Sequence, residues 1–284
     1  MKKHVGTLLA VALLLVGVAL AVYPPLSDSV NSMRQTGAIA GYVDSVAQFE
    51  QDRRTAIFES ARSYNAAPPG IGAQFSGDRH EEYLSQLDPD GTGMMGYIDI
   101  DSIGCRLPVY HGTDPSVLQV AVGHIEGSAL PVGGEGTHCV LSGHRGLPSS
   151  RLFTDLDKLQ VGDIFVLHVL DHTLTYEVYD VRTVVPSDTS ALTARGGEDL
   201  CTLVTCTPYG VNTHRLLVQG RRTADKAKSG VRVAPEAVVL NAAMTAPVFA
   251  APVFAAAFIL LYAVSRRRRK RNAVCKKLGI KEIF

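Results

Sequence analysis

Thr202–Gly220 reads TLVTCTPYGVNTHRLLVQG, and the interpretation of this stretch decides the fold. TLVTC is a short apolar run rich in Thr and Val, of β character. Pro208 and Gly210 end it. A second apolar run begins at Arg215. A TPYGVNTH turn between two such runs predicts a hairpin, with Arg215 returning beside Cys206. Cys206 then lies at a strand end facing a loop, the placement of a nucleophilic thiol. Taken singly, each residue has a plainer reading: Cys206 as a core cysteine, Arg215 as a strand-end charge facing water.

The same pattern continues outward. His144 lies in LSGHRGLP, again where an apolar run meets a Gly/Pro loop. A lone histidine in such a place is usually a satisfied or solvated side chain. Together, however, a thiol, an imidazole and a guanidinium make a nucleophile, an acid/base and an oxyanion stabiliser. Further candidate strands are Gly96–Ile100, Arg106–Tyr110, Thr137–Ser142, Ile164–Leu170 and Thr173–Val185, with Cys201–Cys206 and Arg215–Arg221 completing the series. Short strands with Gly-rich connections predict a mostly β domain, a closed barrel or a sandwich. Asp114–Val120 and Arg151–Leu159 read as short helices between strands. Before the β region, apolar residues recur at helical spacing over 28–64, among them Val30, Met33, Ile39, Val43, Val46 and Phe58. These predict one or two amphipathic helices, ended by Pro68-Pro69-Gly70 and followed by a loop and a short helix over Glu81–Leu87.

The chain has 284 residues, 46% hydrophobic and 19% charged, which excludes a disordered polymer. Its net charge of +1 conceals a strong asymmetry. Residues 1–4 carry +2 and residues 266–284 carry +8; taking these from +1 leaves −9 for residues 23–240. Each basic end abuts a charge-free apolar run, Val5–Val22 and Ala242–Val264. Eighteen helical residues span about 27 Å, close to the hydrocarbon thickness of a bilayer. Both runs therefore read as membrane helices, the first as an uncleaved anchor rather than a signal peptide. RRRRKR at 266–271 reads as a stop-transfer signal rather than a nucleic-acid patch, and the positive-inside rule puts both termini in the cytoplasm. Cys275 then falls on the cytoplasmic side. Cys105, Cys139, Cys201 and Cys206 lie outside, where two disulfides are possible but buried thiols fit the apolar runs better.

With these motifs in view, residues 95–222 resemble the catalytic domain of sortases, the membrane-anchored cysteine transpeptidases of Gram-positive bacteria. TLVTC and GHRG, with Cys206 and His144 separated by 62 residues, carry the resemblance. GGEGTHCVLSGHRGLPSSRLFTDLDKL and YHGTDPSVLQVAVGHIEGSALPVGGEGTH are similar to the class C, pilin-polymerising branch. The resemblance implies an eight-stranded sortase β-barrel, with N-terminal helices and two flanking transmembrane helices. It implies Cys206 as nucleophile, His144 as general acid/base and Arg215 as transition-state stabiliser, with no metal or other cofactor. The implied partners are LPxTG-like surface proteins such as pilins, the membrane, and no nucleic acid. Cys206 would attack the Thr–Gly carbonyl, and a pilin lysine amine would resolve the thioester.

The implied organisation is a cytoplasmic tail (1–4), a membrane helix (5–22) and a helical extension with a lid-like loop (23–94). The barrel (95–222), a linker (223–241), a second membrane helix (242–264) and a basic tail (265–284) follow. Class C lids carry an Asp-Pro-aromatic motif; here the loop reads Ala73-Gln74-Phe75, which leaves Phe75 as the residue to cover the site. Thr205 is a second candidate substrate contact. Asp88–Gly93, with Asp99 at the twelfth position, has part of a calcium-loop pattern, against which a plain turn is the stronger reading. His111, His124, His138 and His214 read as structural. Two alternatives stay open: a sortase that uses a peptidoglycan-precursor amine, and a non-catalytic two-span binding protein.

Overall fold

The computed structural model describes residues 2–66, 70–71 and 77–223. The expected second membrane helix, the basic tail, the linker beyond Thr223 and Phe75 lie outside the described residues.

Eight strands form a closed barrel in the order β1-β2-β3-β4-β7-β8-β6-β5. They are β1 (Met94–Ile100), β2 (Cys105–His111), β3 (Val122–His124) and β4 (Thr137–Ser142). The remainder are β5 (Ile164–Val169), β6 (His172–Val184), β7 (Asp199–Thr207) and β8 (His214–Arg222). β2–β3 and β4–β7 pair in parallel, and the other neighbours are antiparallel. Closure leaves no free sheet edge in the barrel. Seven strands match the expected ones to within two residues at either end. β3 was not expected: three residues, one of them glycine, carry no readable alternation.

Period-2 alternation sorts the side chains of β7 and β8 into two sets. Cys201, Leu203, Leu216 and Val218 enter the main core with Leu141, Phe165 and Tyr176. Val204 and Leu217 belong to a second apolar cluster with Val140, Ala191 and Leu192. Cys206 is two residues beyond Val204 and Arg215 two before Leu217, so both share the second face.

The N-terminal region begins with α1 (Lys2–Ala47), a single helix that contains Pro24 and Pro25. The apolar run and the start of the amphipathic stretch lie on this one helix, and the backbone stays helical through both prolines. From Ala12 onward this helix is long and apolar enough to cross a membrane. Farther along, Ile39, Tyr42 and Val46 pack with Met94. The Tyr42 hydroxyl donates to the Met95 carbonyl at 3.0 Å and accepts from Leu170 N–H at 2.8 Å. α2 (Gln51–Asn65) places Phe58 and Ala61 in the main core. The buried Asn65 amide accepts from Leu130 N–H at 2.7 Å and donates to the Leu130 carbonyl at 3.0 Å. α3 (Asp78–Ser85) buries Tyr83, whose hydroxyl meets His124 Nδ1 at 2.9 Å. A short α4 (Pro115–Leu118) precedes β3. Arg151–Leu159 is not a full helix; only Leu156–Lys158 forms a 3-10 turn.

Candidate active site

The β7–β8 hairpin forms where the sequence predicts it. Its register pairs Cys206 directly with Arg215, and Thr205 with Leu216. Directly opposed residues of an antiparallel pair project to the same face, with Cβ atoms about 4.5–5.5 Å apart. The guanidinium is therefore on the thiol's side of the sheet. Its Nη1 donates to the Asn212 carbonyl at 3.3 Å and to the His214 carbonyl at 3.1 Å. An arginine has five N–H donors, so these two bonds leave the capacity to meet an oxyanion.

His144 arrives from β4. Ser142 pairs with Val204, and the chain leaves the ladder two residues before His144, as it does on the neighbouring strand two residues before Cys206. Gly143 N–H donates to the Val204 carbonyl at 3.0 Å, and its carbonyl accepts from Thr205 Oγ1 at 2.7 Å. The His144 carbonyl accepts from Phe153 N–H at 3.1 Å. His144, Cys206 and Arg215 thus gather at one end of the barrel, each half-buried. Half-burial suits a reacting group: solvent and substrate reach it, yet the neighbouring strands fix it.

Thr205 is 2% exposed, with its hydroxyl committed to Gly143. Its place is behind His144 and Cys206, as a bond between their segments. Arg145 and Tyr209 were given no role by the sequence, although Arg145 stands within GHRG. The ring of Tyr209 lies over Gly146, where an added Cβ would meet it at 3.0 Å.

The other thiols differ from Cys206. All four described cysteines are free. Cys139 and Cys201 face each other in register across β4 and β7, and both are buried. Burial pushes the Cys201 thiol well above its ordinary value. Burial, reinforced by nearby Asp99 and Asp155, pushes Cys105 up to about 12. Among the described cysteines, Cys206 is the one paired in register with an arginine across a hairpin.

The remaining candidates serve structure. Asp99 is held by Arg106 and His168 at 2.5 and 3.3 Å. Desolvation pushes its carboxyl up, but these two partners win and hold it below the usual range. Asp90 and Asp88 instead bond within their turn, to Thr92 and Gly93. His138 bonds Thr202 and Thr193, and His111 bonds the Gly93 and Gln86 carbonyls. Among the described residues no group of His, Cys, Asp and Glu has the geometry to hold a metal ion.

Comparison with known proteins agrees with this geometry. Residues 98–223 match the sortase domain family. The structure of sortase C1 from Streptococcus agalactiae is 50% identical, with a TM-score of 0.65; the match covers 66% of this chain and 98% of that one. Sortase C from Streptococcus pneumoniae, studied for its catalysis and pilin substrate specificity, is 39% identical with a TM-score of 0.60, covering 66% and 97%. Sortase D from Bacillus subtilis is 29% identical over 192 residues, covering 65% of this chain and 91% of that protein.

Proposed function

The chain belongs to the sortase family, whose members are cysteine transpeptidases, and on that premise we propose that it is a class C sortase that polymerises pilins. The class rests on the 50% identity to a sortase C1, against 29% to a sortase D. The site rests on one observation above all: the register that sets Arg215 directly opposite Cys206.

In this reading the Cys206 thiolate attacks the Thr–Gly carbonyl of an LPxTG-like signal. Negative charge develops on the carbonyl oxygen, and Arg215 offers N–H donors to it. The His144 imidazolium protonates the departing glycine amine, which leaves the acyl group on Cys206 as a thioester. Neutral His144 then takes a proton from an incoming pilin lysine amine. That amine attacks the thioester, forms an isopeptide bond and releases the thiolate. The active form needs Cys206 deprotonated and His144 protonated together, so the rate passes through a maximum with pH.

The remaining assignments belong to the same reading. Phe75 covers the site from the loop before α3. The barrel works outside the membrane, anchored by 5–22 and by 242–264, with both termini cytoplasmic, a helical extension and lid-like loop at 23–94 and a linker at 223–241. The test is incubation of the full chain, in detergent micelles, with candidate pilins. A ladder of crosslinked pilin that is lost in Cys206→Ala supports the reading. A ladder formed equally by Cys206→Ala overturns it, and transfer only to a peptidoglycan-precursor amine replaces pilin polymerisation with wall anchoring.

A further inference from the structure

We propose that Arg145 is a positioning residue: its guanidinium ties the loop carrying His144 to the strand end carrying Cys206, and so holds the two at reacting distance. The inference rests on the assignment of His144 and Cys206 made above.

The hydrogen bonds between the two segments skip both reacting residues and join their neighbours. On one side, Gly143 is bonded to Val204 and Thr205, as described. On the other side, Arg145 Nη1 donates to Thr207 Oγ1 at 3.5 Å, and Nη2 meets Asp157 Oδ2 at 2.5 Å. The guanidinium carbon lies 5.9 Å from the ring centroid of Tyr209, and Gly146 N–H donates to Thr154 Oγ1 at 3.2 Å. His144 is thus bracketed by residues 143 and 145, and Cys206 by residues 205 and 207. Beyond the Gly143 bonds, Phe153 and Thr154 hold the outgoing loop to the turn that follows it. Arg145 adds the tie across to the strand of Cys206, joining its own loop, the β7 end and the turn that carries Asp157.

Burial shows that this arginine is more than surface decoration. Its side chain is 10% exposed, and its Nε is buried with no hydrogen-bond partner among the described residues. Burying a charge and leaving a donor unmatched both cost stability, and a well-packed apolar side chain avoids both costs. The planar fork can reach two acceptors in fixed directions while its face lies toward an aromatic ring; a lysine ammonium is a single point and cannot. A side chain this deeply covered does not touch substrate, so its effect reaches the reaction through the geometry of its neighbours. A misplacement of about 1 Å can cost about 100-fold in rate.

The experiment compares Arg145→Lys, Arg145→Gln, Asp157→Asn and Thr207→Val in the full chain in detergent micelles, with a fluorogenic LPxTG-like peptide as probe. The expected result is a fall in kcat of about 10- to 100-fold for both Arg145 variants, with KM and the limbs of the pH profile unchanged. Asp157→Asn weakens one end of the tie by removing its charge, and Thr207→Val removes the acceptor at the other, so both fall in the same direction by less and keep the test open if an Arg145 variant misfolds. Full kcat in Arg145→Gln, rescue by Arg145→Lys, or a loss confined to KM overturns the positioning role. Rescue by lysine would make the charge the active element, and a KM loss would make the residue a substrate contact. Cys206→Ala run alongside separates the two levels of argument. Turnover by Cys206→Ala removes the underlying assignment, whereas an inactive Cys206→Ala with unimpaired Arg145 variants removes this inference alone.

Discussion

Gly143→Ala is a one-methyl perturbation placed directly before His144, the proposed acid/base. An added Cβ would lie 2.6, 3.0 and 3.1 Å from three carbons of the Phe153 ring. Real Cβ contacts do not reach 2.6 Å, so something must move. Phe153 is fully buried within the main core, and its own N–H is bonded to the His144 carbonyl. Gly143 is held from the other side by Val204 and Thr205 at 3.0 and 2.7 Å. If the ring yields, the core is overpacked, at about 1–3 kcal/mol. For a domain of this size that lowers Tm by about 2–10 °C. If the loop yields instead, stability is spared but His144 shifts from Cys206, and kcat falls by about 100-fold. Differential scanning calorimetry and steady-state peptide turnover on the same preparation read the two outcomes. An alanine variant with unchanged Tm and unchanged kcat would refute the close packing from which the argument starts.

Other perturbations probe different parts of the fold. Asn65→Ala strips both bonds from the buried Leu130 peptide groups and should cost about 2–4 kcal/mol, measured by denaturant unfolding of the full chain. Native-state alkylation with iodoacetamide, followed by peptide mapping, should modify Cys206 well before Cys105, Cys139 or Cys201, because the last two are buried and the Cys105 thiol is held near 12. Burial lowers His138 below its ordinary value, against the bond that its Nδ1–H donates to the Thr193 carbonyl. Its neutral form is thus favoured in the folded state, so its contribution to stability is present above about pH 6.5 and is lost as pH falls through the folded value. Melting temperature should fall as pH drops below about 6.5, and His138→Gln, which keeps a hydrogen-bonding side chain without the titration, should flatten that fall.

The residues show why some of this was legible in sequence. TLVTC and RLLVQG alternate and flank Pro208 and Gly210, so local chemistry alone specifies the hairpin and the Cys206–Arg215 register follows. Thr137–Ser142 is equally clear, since a strand of buried apolar residues ends at a glycine. β3 is different. Val122–His124 is a strand because β2 and β4 lie on either side of it, and no pattern of three residues encodes that. The helix through Pro24 and Pro25 opposes local propensity, so nothing local announces that the apolar run and the amphipathic stretch share one helix. Arg151–Leu159 has helical spacing, yet Leu152, Phe153 and Leu156 are drawn into the core by turns. At the site, residue types singled out Cys206, His144 and Arg215, and Thr205 beside them, as candidates. The contacts of Arg145 and Thr205 were hidden because their partners, Asp157, Thr207 and Gly143, are set by the approach of β4 to β7, which sequence distance does not reveal.

The central claim is that Cys206 forms a covalent acyl intermediate. The most direct measurement is intact-protein mass spectrometry of the full chain after brief mixing with an LPxTG-like peptide in the absence of an amine acceptor, followed by peptide mapping. The account predicts a hydroxylamine-labile adduct with the mass of the peptide through its threonine, located on Cys206 and absent in Cys206→Ala. An adduct on another residue, or turnover that persists in Cys206→Ala, would contradict it.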